Sequence, residues 1–216
     1  WLMPLVFGSI WILYFKLCGI TDGEIVLSYL CWPLGSIFAL FVSSFFSFSK
    51  KTMMLFGILF AALSFLVIPF LPNQFFTMAL SFFLCGVAVL FWVSFNITYF
   101  SFSRESAATS GTVYFSLIGL LSIFLVVVGG FFFNNFGPQI FFLVAGFLFL
   151  LPAVFVFNIK DEHFKLDMMD CFNYARGFRT LNLIEGTIDA VIAAGAVISL
   201  TYLKTPIYLS IFITYV

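Results

Sequence analysis

"NIKDEHFKLDMMDCFNYARGFRT", residues 158–180, is the longest polar stretch in a chain that is otherwise close to continuous hydrocarbon. Both signs of charge are mixed in it, together with the chain's one histidine, His163. Ahead of it lie six apolar runs, at 1–16, 24–47, 52–71, 75–101, 112–133 and 139–157. Behind it lie a seventh, at 181–203, and the start of an eighth, at 207–216. A helix needs ~20 apolar residues to cross the hydrocarbon core of a bilayer. The pattern therefore predicts an all-α membrane protein in two halves. A six-helix N-terminal half occupies 1–157, with its first helix incomplete, a linker occupies 158–180, and a second half begins at 181–216. The chain reads as truncated at both ends.

Composition sets the solvent. The sequence is 63% hydrophobic and 8% charged, with a mean hydropathy of +1.20. Soluble domains average about 25% charged residues, so a water-soluble core is excluded and a lipid bilayer is the expected surroundings. Formal net charge is zero, which removes the electrostatic case for binding nucleic acid. Phe makes up 35 of 216 residues, and the plain reading is codon bias and lipid-facing filler. The four cysteines, at 18, 31, 85 and 171, have neither C-x-x-C spacing nor a nearby histidine, so no metal site or other cofactor is expected. His163 is a solvated loop residue on this reading, and no catalytic set is visible in the runs. The expectation is not an enzyme.

Basic residues orient the runs. If the N-terminus is cytoplasmic, that side holds Lys50, Lys51, Arg104, Lys160, Lys165, Arg176 and Arg179, against Lys16 and Lys204 outside. The bias predicts a multi-pass protein of the cell membrane with the N-terminus and central linker cytoplasmic. A weak internal repeat fits two halves. Tyr14-Phe15-Lys16 lines up with Tyr202-Leu203-Lys204, each followed by a short turn and an apolar run.

Several short stretches carry a family resemblance. "LCGITDGEI" (17–25) follows the first run, "FSKKTMMLFG" (48–57) joins the second and third, and "SRESAATSG" (103–111) joins the fourth and fifth. "VVVGGFFFNNFG" (126–137) ends the fifth. Their order, with a linker after the sixth run, resembles the major facilitator superfamily of secondary membrane transporters. Lys50 and Lys51 match that family's basic pair, and Arg104, Glu105 and Gly111 its short basic-acidic stretch. The family's Asp and Gly ahead of the basic pair are replaced by Phe46 and Ser49, and the Pro of its antiporter signature is absent. The resemblance implies a monomeric secondary active transporter that moves a small solute by alternating access.

Candidate site residues follow from polar groups in apolar runs. Asn96 and Tyr99 are three apart and share a helix face, and with Tyr14 and Tyr114 they are the expected lining of a solute cavity. The plainer alternative is hydrogen bonding between packed helices. Glu185 and Asp189, four apart in the seventh run, stack on one face. Asp189 lies roughly 12 Å into a helix that begins near 181, at 1.5 Å per residue. A charge at the bilayer centre costs at least ~2.5–3.5 kcal/mol, and close carboxylates in a dry setting raise at least one pKa. Asp189 is thus the expected proton carrier and Glu185 its partner. Against this, acids near a helix N-terminus are favoured by the helix dipole alone. Lys50, Lys51, Arg104 and Glu105 are the candidates for a cytoplasmic gate, with Glu185 and Asp189 as partners for the basic groups. A non-transporting receptor or scaffold of the same fold, or an inactive fragment, remain the alternatives.

Overall fold

The computed structural model describes residues 11–12, 14–71, 73–102, 128–164 and 184, and it is mostly helical. In order, the elements are α1 (Asp22–Tyr29), α2 (Cys31–Phe45), strand β1 (Phe48–Ser49), α3 (Lys50–Leu66), α4 (Gln74–Val87), α5 (Val89–Phe102), α6 (Pro138–Leu150), α7 (Pro152–Val156) and strand β2 (His163–Phe164). Residues 128–136 are also helical. Among the described residues, three continuous stretches are long and apolar enough to cross a membrane: Asp22–Phe45, Gln74–Tyr99 and Pro138–Val156. They fall on the second, fourth and sixth apolar runs. The third run folds as α3, one 17-residue helix.

Each long stretch is two helices in near-continuous file, and each break has a local cause. Pro33 has no N–H to donate to the preceding turn, and the chain breaks at Leu30, whose N–H bonds only three residues back, to Leu27, at 3.2 Å. Pro152 opens α7 just after the break at Leu151. Between α4 and α5 the N–H of Ala88 is shared between the carbonyls of Leu84 and Cys85, at 3.1 and 3.2 Å. Sharing of this kind marks a tightened turn.

Two compact units divide the described residues at 25/26 and 141/142. One holds the residues up to 25 and 128–141. Its first turn is built by paired caps. Gly19, at φ +87°, ends the helical stretch 14–17: its N–H bonds the Lys16 carbonyl and that of Ile20 the Phe15 carbonyl, at 3.0 and 3.1 Å. This is the Schellman pattern, with Phe15 and Ile20 as its buried apolar pair. Thr21 then starts α1. Its N–H and hydroxyl donate to the Glu24 carboxylate at 2.9 and 2.7 Å, and its hydroxyl oxygen accepts from the Glu24 N–H at 3.4 Å. That reciprocal arrangement is a capping box. Lys16 and Asp22 form an ion pair across the same turn.

The other unit holds residues 26–102 and 142–164. In it α2 packs on α4, α3 packs on α4 and α5, and α7 packs on α3. Small residues make the closest crossings. A Cβ on Gly35 would sit 2.2 Å from the Phe83 carbonyl oxygen, and one on Gly86 2.1 Å from that of Trp32. The Ser36 hydroxyl donates to the Gly86 carbonyl across the same crossing at 3.0 Å. Ser81 on α4 likewise donates to the Ser64 carbonyl on α3. In hydrocarbon no hydrophobic effect pushes helices together, so close backbone approach and hydrogen bonds must hold them. Larger side chains fill the rest: Phe65 of α3 stacks on Phe142 and Phe149 of α6 at 6.4 and 5.1 Å.

The burial pattern is the inverse of a soluble helix. Along α2 the buried positions are Gly35, Ala39 and Ser43, one stripe at four-residue spacing. The exposed large apolar ones are Leu34, Ile37, Phe38, Phe41 and Phe45. Among the described residues, the buried residues of polar type are all Ser and Thr. An outer face this apolar suits a hydrocarbon surrounding, because lipid tails are as apolar as Leu.

Candidate functional site

The expected site residues divide by place. Tyr114, Arg104, Glu105, Glu185 and Asp189 lie outside the described residues. Tyr14, Lys50, Lys51, Asn96 and Tyr99 lie within them.

Asn96 and Tyr99 sit on α5, both half-buried. Tyr99 closes a stack that climbs one face of the helix. Phe91 lies on Phe95 at 5.4 Å and 15°, and Phe95 on Tyr99 at 5.8 Å and 21°. Trp92 meets Phe91 and Phe95 edge-on at 5.3 and 6.3 Å. Residues four apart in a helix lie one above another, so the spacing 91, 95, 99 aligns the rings. The lower part of the stack is structural: Phe91 and Phe95 pack against Met54, Ile58 and Val156. Next to it the Thr98 hydroxyl donates to the Ser94 carbonyl at 2.8 Å, turning that polar group onto its own helix. Tyr14 is buried beside Phe15, their rings 5.2 Å apart.

The best-defined polar cluster is at the start of α3. Ser49 caps the helix, its hydroxyl accepting from the Thr52 N–H at 3.1 Å. The two lysines that follow each reach the segment after α7. Lys50 donates through Nζ to Glu162 Oε2 at 2.6 Å, and its backbone N–H donates to the Glu162 carbonyl at 2.9 Å. Lys51 Nζ donates to the Phe157 carbonyl at 2.8 Å and lies 5.4 Å from the centre of the Phe157 ring. Alongside, β1 and β2 pair antiparallel, Phe48 opposite Phe164 and Ser49 opposite His163. The hydrogen bond from Lys50, and next its positive charge, hold the Glu162 carboxyl below the ordinary value of 4.5, and Lys160 adds to the effect.

Sequence reasoning singled out Lys50 and Lys51 but not Glu162 or Phe157. The signal was present: with the linker and the 48–51 loop on one side of the membrane, a basic pair and "KDE" (160–162) belong to the same surface. The capping box at Thr21 was also unread, although T-x-x-E is its signature. In the linker's described part, Asn158 and Ile159 turn off the end of α7, and only His163 and Phe164 form paired strand. Among the described residues no group of His, Cys, Asp and Glu is arranged to hold a metal ion. Comparison with protein-family models, with curated proteins and with solved structures finds no match to this chain.

Proposed function

We propose that this chain belongs to a secondary active transporter of the major facilitator type, moving a small solute by alternating access. In this reading residues 1–157 are the N-terminal six-helix half, 158–180 the cytoplasmic linker and 181–216 the start of the second half. The protein sits in the cell membrane with its N-terminus and linker on the cytoplasmic side. Asn96 and Tyr99 on α5, with Tyr14 and Tyr114, line the solute path. Asp189 carries the proton, with Glu185 as its partner.

The observation that carries the reading is the contact between Lys50 and Glu162. The six-span layout puts four crossings between them, the third to sixth runs. An even number returns the chain to the end it left, so the layout requires both residues at one end, and they meet at 2.6 Å. The inverted packing of α2, small residues inward and Leu, Ile and Phe outward, supports a bundle in lipid. The transport step rests on the motif order and on the acids of the seventh run.

The test is reconstitution in sealed liposomes with an internal pH dye. Gradients of sugars, amino acids and lipophilic cations are imposed in turn, and wild type is compared with Asp189→Asn. Proton movement that accompanies one solute and is lost in the variant is the expected result. Solute movement without a proton signal, unchanged by the variant, leaves a facilitator and returns both acids to the helix-dipole explanation. No movement of any solute removes the transporter reading in favour of a receptor or scaffold.

A further inference from the structure

A ladder of two residues per strand is too short to persist by itself, since even an isolated full hairpin is marginal in water. Yet β1 and β2 are paired. The bond from the Lys50 N–H to the Glu162 carbonyl, at 2.9 Å, is the backbone bond that flanks the Ser49–His163 pair. What adds to the ladder is the side chain of the same residue, whose ammonium meets the Glu162 carboxylate at 2.6 Å. One residue on, Lys51 takes the Phe157 carbonyl at 2.8 Å. Four attachments therefore run in order along residues 157–164, all of them to the four residues Phe48, Ser49, Lys50 and Lys51.

We propose that residues 157–164 form a releasable latch, which fastens the first part of the linker to the loop and helix start at residues 48–51. Closed, the latch joins the ends of α3 and α7 and leaves the chain free to depart only beyond Phe164. Open, it frees residues 158–164, which add roughly 25 Å of reach at ~3.3–3.6 Å per extended residue. It is releasable because its ion pair is exposed on one side: the Glu162 side chain is 52% accessible. Exposed pairs of this kind are weak and are screened by salt. The use of the latch, setting how far the two halves separate, rests on the transporter reading, whereas the latch itself does not.

The test is cross-linking of the whole protein in membranes, with Cys18, Cys31, Cys85 and Cys171 replaced by alanine. Ser49→Cys with His163→Cys places thiols at directly opposed positions, where Cβ atoms are ~4.5–5.5 Å apart, close to disulfide reach. Ser47→Cys with His163→Cys is the off-register control. The opposed pair is expected to cross-link several-fold faster than the control. Adding Glu162→Lys should slow it to near the control rate, adding Lys50→Glu as well should restore it, and high salt should slow the parent pair. Equal rates for the two cysteine pairs overturn the latch. A rate indifferent to charge reversal, or one the swapped charges fail to restore, overturns the role of the ion pair, and indifference to salt overturns release. None of these readouts involves transport, so failure of the latch and failure of the transporter reading are separable.

Discussion

Gly35 and Gly86 occupy the same crossing from opposite sides, α2 and α4 meeting so closely that neither position has room for a Cβ. The obstacle in each case is a backbone carbonyl, which cannot swing aside as a side chain would. Gly35→Ala or Gly86→Ala is therefore expected to destabilise the protein by about 1–3 kcal/mol, the usual cost of overpacking. The two changes press on one interface, so the double variant should cost less than the sum of the singles. Unfolding in mixed detergent micelles measures this, and fully additive losses would show that the two glycines do not share a contact.

Ser36 donates across that crossing to the Gly86 carbonyl, with the Trp32 carbonyl of its own helix as a second acceptor at 3.3 Å. Ser36→Ala removes the donor and leaves the helix spacing intact. Interhelical hydrogen bonds in membrane proteins average ≈ 0.6 kcal/mol, so a loss of about that size is expected, well below that of the glycine changes. A loss as large as theirs would mean the hydroxyl, not the close approach, sets the crossing.

Glu162 titrates below its ordinary value because Lys50 bonds to its charged form. A carboxyl depressed in the folded state contributes its stabilisation above the unfolded value of about 4.5 and loses it as pH falls through the lower folded value. The Lys50–Glu162 contact should accordingly be constant from pH 5 to neutrality and fade in acid below about 4.5. Isotope-labelled carboxyl resonances report the titration directly. In Glu162→Gln the acid-induced opening of the segment should vanish, and an unchanged acid response would assign it to another carboxylate.

Thr21 and Glu24 satisfy each other's N–H groups at the start of α1. Thr21→Ala should cost about 1 kcal/mol, the typical worth of an N-cap hydroxyl, while Thr21→Ser should cost little. Hydrogen exchange at the first amides of α1 is the sensitive readout. Equal protection in the alanine variant would show that the Glu24 carboxylate suffices.

The helices were legible because their cues are local. Apolar run lengths placed the helices of the second, fourth and sixth runs to within two residues or so, and the start of the third, whose helix ends at Leu66, five residues short of its run. In the polar gaps between those runs, Asn73 caps the start of α4 and Gly137 turns the chain at positive φ. Which face of α2 turns inward was not legible, because both faces are apolar and only residue size separates them. The site was harder still. Lys50 was recognisable as a loop cation, but its partner Glu162 is 112 positions away in sequence. Nothing in a linear reading ranks one distant carboxylate above another. The stack at Phe91, Phe95 and Tyr99 was hidden because a chain this rich in Phe makes aromatic spacing uninformative.

The inward stripe of α2, Gly35, Ala39 and Ser43, and its outward Phe38, Phe41 and Phe45 have unequal histories ahead of them. A single base change turns a phenylalanine codon into one for leucine, isoleucine or valine, and on the outer face each of these leaves the helix as greasy as before. No single base change at a glycine codon yields anything smaller than alanine, and alanine already collides. Descendants of this gene can thus wander through the bulky half of the helix while Gly35 stays fixed. A comparison among them would find the invariant position at its smallest residue.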